Sequence, residues 1–377
     1  MPYKQENYQV IKYTFLDLST FGGHISSAQA INNAGKIIGT DSTMDFSPPQ
    51  IKGNTLFFAA EFATIWDTSY YVSKATLISG ENASGNAMNM TGMVAGQSLT
   101  EVNGKYTMRA TVWQNGETRI IDALNGDLSP STASSVNDHG TVVGTSALFT
   151  NKTQAFIWNG TELSNLSTLG GSSNATAINN NEIAAGWAVD TSKIIGVTKA
   201  VIWKDGKILS LSAGDYSSSA LDINDNDVVA GSSTGSDNLS HATVWDHDKE
   251  ITLKSFSDKT SSIASAINNK NQVVGYEYHN FFDTRAVLWN SVDGYAIDLN
   301  QYLDQSLRDE GWVLTTASDI NDQGSIVGSA YNARTHEVHG YVLTAENLTG
   351  LTGTAQAELV GIATPAPQEA SADIWSI

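Results

Sequence analysis

Four places in the chain gather residue types capable of chemistry. Asp222, Asn224, Asn226 and Asp227 alternate oxygen donors, a spacing that can wrap a hard cation such as calcium, which takes six to eight oxygen ligands. Asp304, Asp309 and Glu310 crowd carboxylates into one short segment, and two acids a few ångströms apart, one with a raised pKa, are what a carbohydrate hydrolase or lyase needs. His336, Glu337 and His339 bring imidazoles and a carboxylate together, although in an extended strand the two imidazoles would point to opposite faces. Finally, Arg109, Lys199, His241, Arg285 and His339 each precede an Ala or Gly that opens a short apolar run, with Phe62 and Gln154 in the same place elsewhere. A cationic ring gripping an anion is one reading of that series. No nucleophile elbow, His-Glu-x-x-His or phosphate loop is present, so those chemistries have no sequence signal.

These residues sit inside a repeat. The pattern apolar-Asn, turn-prone residues, two or three apolar positions and Gly occurs seven times, at Ile31 to Gly39, Met88 to Gly96, Val136 to Gly144, Ile178 to Gly186, Ile223 to Gly231, Ile267 to Gly275 and Ile320 to Gly328. Between the copies lies a β-prone run ending in Trp66, Trp113, Trp158, Trp203, Trp245 or Trp289, the seventh ending in Leu343 instead. Repetition every 42 to 57 residues, with turn signals between short β-branched runs, predicts an all-β chain, a seven-bladed β-propeller of four-stranded antiparallel blades. Strand A ends at the repeated Asn, strand B ends near the Gly, strand C ends at the Trp, and turns such as Asn115-Gly116 lead into strand D. The run 13–18 (YTFLDL) has the look of a strand D without its blade, and the seventh repeat lacks one. The N-terminal strand should therefore complete the last blade, leaving few free edges. The expected organisation is an extension over 1–7, the propeller over 8–345 and a Pro-, Ala- and Thr-rich tail or linker over 346–377.

Composition narrows the partners. The chain has 377 residues and a formal charge of −19, with Lys and Arg unclustered, which disfavours nucleic acid and anionic membrane surfaces. Its apolar content of 41% supports a packed core. There is no cysteine for disulfide, thiolate or Cys-metal chemistry, and no apolar run long enough for a membrane span. The first ten residues lack a signal-peptide pattern.

The motifs Leu169-Gly170-Gly171 followed by Ala177-Ile178-Asn179, His241-Ala242-Thr243-Val244-Trp245, and Asp298-Leu299-Asn300 through Gly311-Trp312 to Asp319-Ile320-Asn321-Asp322 resemble the HAF-repeat family across roughly residues 13 to 344. The His-Ala-Phe triplet is diluted here to His241-Ala242-Thr243 and Gln154-Ala155-Phe156. The resemblance implies a bacterial, exported, propeller-like protein, extracellular or at the cell surface, and supplies no catalytic residues.

Weighed against this frame, most of the candidate chemistry becomes structural. The position of Asp222 is Ala30, Ala87, Ser135, Ala177 and Ala266 in other repeats and is matched only by Asp319, so turn chemistry is expected there, with no metal and no cofactor. The pre-strand residues read as cross-strand clasps: Arg109 with Asp122, Gln154 with Asn165, Arg285 with Asp298, and His339 with Asp17. The repeated tryptophans read as core between blades, whereas Trp187 and Trp312 fall outside the register, in expected loops, and are the better candidates for a ligand surface. The variable connections carry the remaining signal. The segments 40–61, with Phe57 and Phe58, and 300–313, with Tyr302 and Trp312, together with Tyr278 and Phe281, predict an aromatic face for a glycan or protein ligand. A carbohydrate hydrolase or lyase using acids of that face is the alternative.

Overall fold

The computed structural model describes residues 12–20, 22–42, 50–52, 55–57, 61–67, 74–80, 82–126, 128–148, 152–192, 196–212, 214–280, 283–292 and 294–346. The 1–7 extension, Phe58, Phe281 and the tail beyond Glu346 lie outside them, and of Phe57 only the backbone is described. Seven antiparallel sheets of four strands follow one another along the chain, as the repeat predicts. Their innermost strands are Ser26–Ile31, Ala83–Met88, Ser131–Val136, Gly170–Ile178, Ser218–Ile223, Ser261–Ile267 and Trp312–Ile320. Each packs against the next, and the last meets the first, so the ring is closed. The strand Lys12–Asp17 pairs antiparallel with Val338–Glu346 and supplies the fourth strand of the last blade.

The repeated Gly has a specific cause. Every innermost strand carries a β-bulge, as between Ala28 and Ala30 or Ala133 and Ser135, and the bulge pushes its carbonyl across the partner strand. A Cβ on Gly144 would collide with the carbonyl oxygen of Thr132, and one on Gly328 with that of Thr316. Only glycine admits that approach. Five of the six tryptophans at strand ends are at most 4% exposed and Trp158 only a little more. They lie between sheets: Trp203 packs with Val143 and Ala155 of the preceding blade, and its indole N–H donates to Ser167 O at 2.8 Å.

Three sequence expectations need correction. Trp187 is not in a loop; it sits mid-strand in Ala184–Asp190, opposite Asn174 and Ala200. Trp312 opens the innermost strand of the seventh blade, because the 300–313 insertion spends its length on a short 3-10 turn, Leu299–Tyr302, and one helical turn, Gln305–Asp309. Gln154 does not face Asn165, whose partner is Phe156; its amide instead donates to Leu166 O.

Candidate functional site

The two faces of the ring are built differently. On the face of the A–B turns, the repeated Asn closes a belt. Its carboxamide oxygen accepts backbone N–H groups two and four residues ahead, as Asn137 does from His139 and Thr141, which makes the turn. Its amide then donates to the carbonyl of the equivalent Asn in the next blade. Seven such bonds run from Asn32 through Asn89, Asn137, Asn179, Asn224, Asn268 and Asn321 back to Asn32, at 2.9–3.2 Å.

The next residue in each turn forms a second, incomplete ring. Asp138, Asn180, Asp225, Asn269, Asp322 and Asn33 each accept the preceding blade's backbone N–H at 2.8–2.9 Å, and Met90 breaks the series. Carboxamides bridge the carboxylates: the Asn180 amide donates to Asp138 and Asp225, and that of Asn269 to Asp225 and Asp322. These rings frame a cavity of about 200 Å³ at the channel mouth.

Just inside, Asp222 and Asp319 stand on the channel wall. Asp222 accepts the Ile267 N–H at 2.8 Å, and Asp319 accepts those of Ile31 and Ile320 at 2.8 and 2.7 Å. Burial raises the pKa of both, and repulsion from Asp222 helps carry Asp319 to about 7. The calcium pattern read from the sequence does not converge. Asp222 points to one neighbouring blade, the Asn224 amide joins the belt, and Asp227 binds the Asn179 and Asn181 amides. Among the described residues no three His, Asp or Glu side chains gather as a metal site.

The opposite face carries the B–C and D–A connections, and here the residues preceding the strand-C Ala find their use. The buried Arg109 donates to Ile121 O at 3.1 Å, while Asp122 is 3.9 Å away and 90% exposed. The expected ionic clasp is therefore mainly an anchor on backbone. Lys199, also buried, donates to the carbonyls of Gly214 and Tyr216. In the sixth blade the buried Glu277, its pKa raised chiefly by burial, accepts from Phe256 N–H at 3.2 Å and the Thr260 hydroxyl at 3.3 Å. Arg285 does reach Asp298, at 3.8 Å, and Asp283 as well. Buried polar side chains thus pin loops whose outward residues are large and apolar: Leu128, Tyr216 at 51% and Phe256 at 50% exposure, joined by Ile25 from the connection into the first blade.

Of the predicted ligand residues, Trp312 and Tyr302 are half-buried against the core of the last blade. The Tyr302 ring meets Tyr13 edge-on at 4.8 Å, and Trp312 lies 4.7 Å from His339. Tyr278, expected in a connection, instead lies within the paired strand Val273–Asn280 of the sixth blade and tilts against Tyr276 at 5.9 Å. Sequence reading missed Tyr216, Phe256, Leu128 and Ile25; each is a lone apolar residue in a polar loop, which the repeat alignment leaves unmarked. The acids Asp304, Asp309 and Glu310 are exposed and not paired with one another; Asp309 accepts from Gln305 at 2.8 Å.

No protein-family profile matches the chain, and no curated protein matches it by sequence. Among solved structures it is similar to the β-propeller domain of the trilobed protease of Pyrococcus furiosus, which has an open velcro topology. The TM-score is 0.53 at 10% identity, over 85% of this chain and 97% of that one. It is also similar to a puromycin-hydrolysing peptidase of Mycobacterium tuberculosis, with a TM-score of 0.50 at 9% identity, over 87% of this chain and 56% of that one. Identities this low show the fold, a β-propeller, and leave activity to the site itself.

Proposed function

We propose that the chain is a binding scaffold, extracellular or at the cell surface and of the HAF-repeat kind, that engages a glycan or protein ligand through its D–A and B–C loop face. The observation that carries the reading is the pinning of Tyr216 by Lys199 and of Phe256 by Glu277. Aromatic side chains held outward on anchored backbone bind at low ordering cost. Large apolar residues held exposed in the connections of one face suit an interaction surface.

A catalytic reading has support at a different place from the one first expected. The loop-face acids stand apart, whereas Asp319, with its pKa near 7, shares the channel wall with Asp222, and a carboxyl protonated near neutrality is a usable general acid. A glycan-array screen followed by product analysis separates the two. Binding that is lost in Tyr216→Ala/Phe256→Ala and produces no cleavage supports the scaffold. Cleavage that disappears in Asp319→Asn replaces it with the hydrolase. Undiminished binding by the double variant removes the loop face from consideration.

A further inference from the structure

The point where the ring closes differs from the six other blades in what holds it. Elsewhere strands C and D are joined by a covalent turn; here Lys12–Asp17 pairs with Val338–Glu346 with no turn between them. Across that seam lies His339, whose Nδ1 is 2.9 and 3.1 Å from the two carboxylate oxygens of Asp17. Glu337 from the preceding turn and Asp41, at the end of strand Lys36–Ser42 of the first blade, add negative potential at the same imidazole. Trp312 lies against its ring. Seven residues beyond Asp17, His24 meets Glu337 at 3.4 Å, and Ile25 bridges to Val338. Glu337 is itself held by the Thr335 hydroxyl at 2.7 Å.

The geometry points to a pH-responsive latch, in which the protonated ring of His339, set among Asp17, Glu337 and Asp41, fastens the closing strand and releases it when the proton is lost. Burial alone would lower the pKa of this histidine; the Asp17 hydrogen bond and charge, with Glu337 and Asp41, outweigh it and raise it. A histidine whose pKa is raised on folding stabilises fully below its unfolded value of about 6.5, and that contribution fades as pH rises through the folded value. Acid therefore tightens the seam. Neutral to alkaline conditions leave three carboxylates facing an uncharged ring.

The test is hydrogen exchange on the full chain from about pH 6 to about pH 8. Protection of the Tyr13–Asp17 amides is expressed relative to that of Ser131–Val136, whose blade has no seam. In the wild type the relative protection is expected to fall roughly fivefold over that range, the factor for a contact worth about 1 kcal/mol. In His339→Gln it is expected to stay level. Asp17→Asn, which keeps the shape and an acceptor, is the second variant should the first fail to fold, and it too should flatten the profile. A constant ratio in the wild type, or an unaltered slope in either folded variant, overturns the latch.

Discussion

Asp319 is a residue whose charge is costly to hold. It lies on the channel wall, its two backbone hydrogen bonds lower its pKa, and burial with the nearby Asp222 raises it more, to about 7. Because the folded pKa stands above the unfolded one, stability is greatest where the carboxyl is protonated in both states, and it declines as pH climbs from about 4 to about 7. Asp319→Asn keeps an acceptor for the Ile31 N–H and removes that penalty. It should melt higher than the wild type at pH 8, by an amount on the order of 2 kcal/mol in stability, with little difference near pH 4. A pH series of melting curves checks the sign. A second comparison separates the two ends of the sequence-predicted clasp. Arg109→Ala removes a buried anchor and should cost about 2 kcal/mol, whereas Asp122→Ala removes a carboxylate that is 90% exposed and 3.9 Å distant and should change stability by less than about 0.5 kcal/mol. Equal losses in chemical denaturation would restore the ionic pair.

At the scale of single strands and turns, the sequence was legible where a local rule sufficed. Asn at the end of strand A announced a turn, and its oxygen does cap the turn's N–H groups; Trp at the end of strand C announced buried packing between blades. What was hidden lay across blades. Nothing in the repeat says that the Asn amide reaches the neighbouring carbonyl, since that depends on the spacing between strands distant in sequence. The bulges were equally silent, although the unvarying Gly opposite them was their trace. Trp187 was misplaced because a residue at a variable repeat position looks like loop until its strand is seen to run through it. The belt gives the turn a measurable weight. Asn137→Ala strands the N–H groups of His139 and Thr141 and leaves Asn179 O with the Glu182 N–H alone, so it should cost about 3 kcal/mol. Asn159→Ala, in an exposed C–D turn with a similar local pattern, should cost under about 1 kcal/mol. Denaturant midpoints of the pair provide the check.

The whole molecule depends on its seam. Starting the chain after Asp17 would uncover one edge of Val338–Glu346 and the core around Tyr341 and Leu343, both fully buried in the ring. Such a chain should melt lower and associate with concentration as its open edge finds partners, which sedimentation would detect; a monomer with unaltered melting would mean that closure contributes little. The seven-fold count and the closing strand were readable because repetition and a missing partner are properties of the sequence itself, while the ligand face was only half readable, since exposure is a property of the assembled ring. The seam also fixes where the chain leaves the ring. Lys12 and Glu346 stand opposite one another, and Ala345 abuts Gly324 of an A–B turn. Any segment attached before Lys12 or after Glu346 is therefore tethered at one spot on the channel-mouth face. The described chain thus enters and leaves the ring on the face opposite the one that carries Tyr216 and Phe256.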